Sequence, residues 1–557
     1  MSRPRWADLA FVNGRVFTVD AAGTWAEAVA VAGGRIASVG SDAEVRGLVG
    51  LRTEVVDLGG RSLLPGFQDA HAHVMTGGLD RMRVDLSGVG SYPEYASLIG
   101  DYAAANPERD WIVGGGWMLG AFPGGTPTAE ALDRVVPERP AFLGNRDNHG
   151  AWVNTRALEL AGVTRETADP PDGRIERDPT GAPTGTLHEG AVRLVRRIVP
   201  RPTHDELVAA LLEGQRYLHS VGVTAWQDAI VGEYETMFDS YDAYRAAAAD
   251  GRLTGRVVGA LWWRRGEGLA QLPYLLDRRE RGQVGRFQAT TVKIMADGVC
   301  ENQTASVLTP WLDGSGRATG NTGIPFVPRD ELLEVVPALD AEGFQVHIHA
   351  IGDRAARDAL DAFEAARRAN GWTDTRPHIA HLQVVHPDDR PRFRRLGVTA
   401  NFQPLWLVHE PQMDALTIPF LGAERAGWQY PLGSLAASGA TIAMGSDWPV
   451  SSADPFWEMH VAVNHLVPEG YPYGDGSGRV FMPEERIALP VALRAFTMGS
   501  AYVNHLDRET GSIEVGKAAD LVVVDRDVFD SAPDRIADAR VLLALVEGER
   551  VYEAPGL

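Results

Sequence analysis

The sequence predicts an α/β chain: a (β/α)8 barrel with a long insertion after its first strand, and a small composite β-sandwich formed by both termini. Three observations lead there. Eight short apolar runs recur through the centre, helical stretches lie between several of them, and the two ends share a hairpin texture that the middle lacks. A length of 557 residues exceeds one ordinary domain, and 45% apolar against 23% charged residues is the composition of a globular protein with a sizeable core.

Taken in order, residues 8–58 (DLAFVNGRVFTVD, EAVAVAGGRIASVG, TEVVDLGG) are β-branched runs broken by Gly and Asp turns, the pattern of hairpins. Residues 512–553 repeat it, so residues 1–61 and 499–557 are expected to share one sandwich around a barrel at 62–498. The barrel strands fall in the runs 62–73, 222–229, 256–263, 290–298, 343–353, 376–383, 397–404 and 441–449. Helical stretches at 205–221, 330–343 and 353–370 carry apolar residues at i, i+3, i+4 spacing. The first connection is far too long for a simple βα unit. Residues from roughly 78 to 220, rich in Trp and Pro, are therefore expected to form an insertion covering the barrel mouth.

Charge and composition exclude several function classes. With 74 acidic and 53 basic residues the formal charge is −21, which disfavours nucleic acid and anionic membrane surfaces as partners and leaves a small molecule as the expected one. Cys300 is the only cysteine, so no disulfide framework or Cys-rich metal site exists. The N-terminal stretch has no apolar signal-peptide core, and no run of about 18 uncharged apolar residues occurs. A cytoplasmic protein is expected. Only two of the basic residues are lysine, Lys293 and Lys517, which raises the question of what an amine does there that a guanidinium would not.

Metal-capable side chains stand at the C-terminal ends of the expected strands, where a barrel places its active site. His71 and His73 end the first run two residues apart, so both imidazoles reach one face. Lys293 lies in the fourth run, His349 ends the fifth, His381 the sixth and Asp447 the eighth. His347, in the same run as His349, is expected to face away from the lumen as a structural residue.

The segments LLPGFQDAHAHV (63–74), TVKIMADG (291–298), HAIGDRA (349–355), HIAHLQ (378–383), GSDWPV (445–450) and GSIEVGKAADLVVVD (511–525) resemble the amidohydrolase superfamily, in particular its YtcJ-like branch related to N-substituted formamide deformylases. The resemblance implies a metal-dependent hydrolase TIM barrel. His71 and His73 would hold one divalent metal, His349 and His381 a second, and Asp447 would bind the first and act as general acid/base. Lys293 matches a lysine that in some branches takes up CO2 to become N6-carboxylysine, a bridging anion no guanidinium can form. Zinc is the expected ion, one or two per chain, with manganese, iron or cobalt compatible with the ligand types. The implied reaction is hydrolysis of an amide-like C–N bond, N-formyl or N-acyl, by a metal-activated hydroxide. A heterocycle deaminase is the alternative, disfavoured because no Glu follows His349 by three residues. A non-catalytic scaffold is a third reading, disfavoured because all six candidate ligands are present. A homodimer is common among such relatives.

Around this set, Trp117, His149, Asp297, Gln403 and Trp448 are expected to contact substrate, with Trp406 adding to an aromatic pocket and with holding a turn as the alternative for Asp297. Asp353 is expected to cap a helix, and His378 and His386 to pack beside His381, His378 on the opposite face. Cys300 and Glu301 stand where the family carries small or polar residues, and an ordinary loop thiol is expected. Lys517 falls in a turn of the sandwich.

Overall fold

The computed structural model describes residues 6–555 apart from 235, 236, 473 and 475. Its centre is an eight-stranded parallel barrel: β1 (Phe67–Ala72), β2 (Val223–Val231), β3 (Arg256–Trp262), β4 (Phe287–Met295), β5 (Gln345–Ala350), β6 (His378–His381), β7 (Thr399–Phe402) and β8 (Ile442–Met444). Neighbours follow chain order, from β1–β2 through β7–β8. The seam between β8 and β1 is held just past the strand ends. There the Asp447 N–H donates to the His71 carbonyl (2.7 Å) and the His73 N–H to the Trp448 carbonyl (2.8 Å).

The helices follow from capping and periodicity. His204–Ser220 starts at Thr203, whose hydroxyl and Glu206 form a reciprocal capping box, and it packs on β2 as the barrel's first outer helix. Asp353–Asn370 buries one apolar stripe, Ala355, Ala359, Leu360 and Phe363 among it, and ends at Gly371. Its N-cap is Gly352. Asp353 is one residue inside, where its carboxylate accepts the Leu308 N–H at 3.0 Å.

Both chain ends build the sandwich. One sheet is N-terminal (Leu9–Val12, Ala28–Ala32, Arg35–Gly40, Glu54–Asp57); the other runs Glu549–Glu553, Val541–Val546, Leu521–Val524, Ser62–Pro65, Arg15–Phe17, Trp25–Ala26. Phe11 and Val29 of the first sheet bury against Leu63, Leu521 and Leu543 of the second. The run 62–73 therefore changes partners midway: Ser62–Pro65 pairs with Leu521–Val524, while Phe67 turns to the barrel through a bond from its N–H to Gly222. A side chain at Gly66, where the change occurs, would stand 2.4 Å from Thr224 Oγ1. Lys517 ties this region together. Its ammonium donates to the Asp507 carbonyl (2.6 Å), Ser512 Oγ (2.7 Å) and the Thr510 carbonyl (3.2 Å), three diverging acceptors that suit a compact three-proton donor better than a planar fork.

The insertion has its own six-stranded sheet, in the order Gly173–Arg177, Pro183–Glu189, Gly150–Val153, Ala141–Asn145, Ile112–Trp117, Val84–Asp85. Its turn 146–149 carries Asp147, Asn148 and His149 to the C-terminal mouth of the barrel. No helix among the described residues is long and apolar enough to cross a membrane.

Candidate metal centre

Three buried groups, His71, His381 and Asp447, each offer a ligand atom, and these atoms lie within 4.8 Å of one another. Asp447 Oδ1 stands 3.2 Å from His71 Nε2 and 2.9 Å from His73 Nε2. Lys293 and His349 line the same small cavity with these four. His381 (φ 78°) and Asp447 (φ 55°) both hold left-handed backbone, costly for non-glycine residues and found where surrounding contacts over-determine a site. Asp69 supplies one such contact. Its carboxylate accepts Ser446 Oγ–H (2.5 Å) and the His71 N–H (2.9 Å), clamping the end of β1 to the turn after β8. Gly445 fits that clamp because a Cβ would meet His71 N at 2.5 Å and Asp69 Oδ1 at 2.7 Å.

The electrostatics suit a cation. Burial first, then the Lys293 ammonium, holds His71 well below the ordinary imidazole pKa; burial and then neighbouring imidazoles do the same for His349 and His381. All three are neutral, with a lone pair to offer. Burial pushes Asp447 up, but the His73 hydrogen bond and nearby positive groups outweigh it and keep the carboxylate ionised. His73 Nδ1 is buried without a hydrogen-bond partner among the described residues. Imidazole nitrogens around one carboxylate are a donor set for zinc-like divalent ions, and this orphaned atom fits one.

A polar layer beneath orients the upper one. His71 Nδ1 and His347 Nε2 share a hydrogen bond at 3.1 Å, which leaves His71 Nε2 for Asp447 and the cavity. Gln403 Oε1 accepts both the His381 N–H (3.1 Å) and its Nδ1–H (2.9 Å), fixing the tautomer that frees Nε2. Gln403 is thus a positioning residue. The expectation that His347 faces away is corrected: two residues before His349, it shares the inward face, one layer down, with Nε2 3.3 Å from Lys293 Nζ. His378 also points inward and packs its ring 4.0 Å from that of His347, because the left-handed turn at His381 breaks the strand alternation. Burial brings the Lys293 amine down to about 7 against the pull of Asp447.

The family model for the amidohydrolase family matches residues 54–552. The chain belongs to the amidohydrolase family. Among curated relatives, Protein LONG AFTER FAR-RED 3 of Arabidopsis thaliana is 33% identical over 98% of this chain and 92% of its own. N-substituted formamide deformylase of Arthrobacter pascens is 29% identical over 99% of both, and putative amidohydrolase YtcJ of Bacillus subtilis 28% over 97% and 98%. A solved metal-dependent hydrolase of Pyrococcus furiosus, 27% identical, superposes with a TM-score of 0.69 over 93% of this chain and 99% of that one.

The remaining expected contacts divide. His149 lines the metal cavity in this amidohydrolase, its ring 5.6 Å from that of His349. Its Nδ1–H faces both oxygens of Glu189 (2.9 and 3.0 Å); burial pushes the imidazole down, but the Glu189 charge and hydrogen bond outweigh it and raise the pKa to about 9. Glu189 itself, fully buried at φ 49° and also bound by Thr304 Oγ (2.9 Å), carries no motif and was invisible in the sequence. Trp406 stacks on His381 at 5.1 Å, and Trp448 walls a neighbouring cavity. Trp117 does not join the cavity, a correction, and of the two readings of Asp297, pocket or turn, the structure shows the turn, with Oδ1 3.6 Å from His349 Nε2. Trp117 is buried in the insertion's own core, donating its indole N–H to the Leu143 carbonyl and edging Trp152. Asp297 accepts the Ser306, Ile351 and Gly352 N–H groups at 2.8–3.0 Å and holds a turn. Cys300 lies in an apolar cluster with Val307 and Trp311, where burial pushes the thiol well up and keeps it inert. Its neighbour Glu301 accepts Thr417 Oγ–H at 3.2 Å, and His386 caps a short helix at Asp388.

Proposed function

We propose that this amidohydrolase is a cytoplasmic enzyme that hydrolyses an amide-like C–N bond, N-formyl or N-acyl, of a small molecule, using zinc. The observation that carries the reading is the single cavity lined by His71, His73, Lys293, His349, His381 and Asp447. The formamide deformylase, which aligns from end to end, supports the choice of bond. A buried lysine whose amine titrates near 7 has the neutral form that CO2 addition requires, which supports N6-carboxylation of Lys293 and a two-metal centre.

When bound, a divalent ion supplies Lewis acidity, polarising a carbonyl and acidifying water. The chain's own residues do the rest. Asp447, ionised and aimed into the cavity, accepts the proton of the attacking water and returns it to the departing nitrogen. His149, held cationic by Glu189, presents Nε2–H to the substrate's carbonyl oxygen and stabilises the charge that develops there. The Trp406 ring, parallel to His381, keeps bulk water from that side.

Metal analysis with a panel of N-formyl, N-acyl and cyclic amides tests the proposal, with amine and ammonia release followed separately. At least one tightly held ion per chain and amine release are expected, and Asp447→Asn should stay folded while losing turnover. A chain that binds no metal sinks the hydrolase reading; ammonia as sole amine product moves it to deaminase chemistry.

A further inference from the structure

The cavity at the metal cluster has a volume of only 40 Å³, while a second cavity of 340 Å³ lies between the insertion and the barrel. Asn148 and Val450 belong to the walls of both. The larger space is the one with room for the body of a substrate whose reacting bond sits at the metal cluster.

Two guanidiniums in that larger wall make no ion pair among the described residues, although the charges of Asp80 and Glu206 act on Arg83 and that of Glu233 on Arg196. Arg196 ends the helix Arg193–Arg196, is 7% exposed, and its Nη2 is buried with no hydrogen-bond partner among the described residues. Its Cζ lies 3.9 Å from the centre of the Phe238 ring, and Arg83 Cζ lies 6.0 Å from the same ring. Arg83 forms no ion pair among the described residues. Other charges around the cavity are matched: Arg81 pairs with Glu213 (2.9 Å) and Arg146 with Glu410 (3.7 Å). Asp80, whose carboxyl burial raises to about 8, and Glu206 are the acids whose charges act on Arg83, and neither forms an ion pair with it among the described residues. Asp85, hydrogen-bonded to Ser87, is the remaining acid of the wall.

A buried guanidinium nitrogen without a partner carries a desolvation penalty, which an incoming anion would relieve. In a chain of net charge −21, unpaired cations here are not a spillover of general basicity. The unpartnered Arg196 Nη2 is the donor that an incoming anion would meet, with Arg83 beside the same Phe238 ring. The planar fork of arginine suits a carboxylate, and Phe142, Phe238, Trp448 and Trp457 supply an apolar lining for what joins that carboxylate to the amide.

We propose that the cavity beside the metal centre is an acid-recognition subsite: the substrate amide carries a carboxylate on an apolar body, and Arg196 with Arg83 binds it. This rests on the hydrolase reading above and names its substrate class. The test compares N-acetylphenylalanine, either enantiomer, with N-acetylphenethylamine, which lacks only the carboxylate, and with the corresponding phosphonate. In the wild-type, metal-loaded enzyme, kcat/KM for the carboxylate should exceed that for the decarboxylated amide by ~100-fold or more, because the amide without it leaves buried guanidiniums unpaired. Arg196→Gln, and separately the more exposed Arg83→Gln, should collapse that ratio, mainly through KM. Equal turnover of the two amides by wild type, a ratio that survives both substitutions, or a preference for the phosphonate overturns the proposal while leaving C–N hydrolysis standing. If no amide turns over, the hydrolase reading has failed on its own, and the subsite is read by calorimetry with N-acetylphenylalanine. Wild type should then bind at least tenfold tighter than Arg196→Gln, and equal affinity removes the subsite too.

Discussion

Glu189→Gln isolates the electrostatics of the site from its metal. In the folded protein His149 is raised from 6.5 to about 9, chiefly by Glu189 acting against burial. At ~1.4 kcal/mol per pH unit, that rise corresponds to about 3 kcal/mol of folding stability carried by the charged pair. Because the folded pKa lies above the unfolded one, the contribution is complete below pH 6.5 and disappears as pH climbs through about 9. Glutamine removes the charge, and burial alone then keeps the imidazole neutral. Urea unfolding of the metal-free protein should therefore show wild type more stable than Glu189→Gln by about 3 kcal/mol at pH 6, with the gap closing by pH 10. In the loaded enzyme the same change should lower kcat by ~100- to 1000-fold, the usual effect of losing one donor to a developing oxyanion. Parallel loss of stability in both proteins between pH 6.5 and 9 would refute the assignment of that pKa to the pair.

Other perturbations probe the frame. Lys293→Arg should fold but bind fewer metal ions and lose activity, since a guanidinium cannot become a carbamate; full metal content and activity by elemental analysis and assay would remove the carboxylysine. Gly445→Ala must displace His71 or Asp69, whose atoms stand 2.5 and 2.7 Å from the new Cβ, and should cost about 1–3 kcal/mol in thermal unfolding together with weaker metal retention. Trp117→Ala should lower stability by about 3–5 kcal/mol, as deletion of a buried aromatic does, with KM unmoved in those molecules that stay folded. A selective KM change would place Trp117 at the substrate after all.

Much of the architecture is legible in the residue order. Each barrel strand falls inside or beside an apolar run, because a parallel strand covered on both faces must be apolar along its length. The polar layer under the site is legible in retrospect. Asp69, Thr291, His347 and Asn401 each stand two residues before His71, Lys293, His349 and Gln403, and a period of two places them on the same inward face. Applied to His347, that rule turns it inward, against the expectation that it faces away. It fails at His378 only because a left-handed residue interrupts the strand, a feature with no signature in a histidine.

The sequence by itself determined the barrel, the terminal sandwich and the identity of the metal-capable residues. Those depend on local periodicity and on side-chain chemistry, which each residue carries wherever it goes. Only the tertiary structure decided which of them converge, that Gln403 and Asp297 serve neighbours within the protein, and that Glu189 holds His149 charged. It also decided that Arg83 and Arg196, 113 residues apart in the chain, face one cavity with no ion pair of their own among the described residues. Charge compensation is settled by distances of a few ångströms between remote segments, and the sequence does not contain those distances.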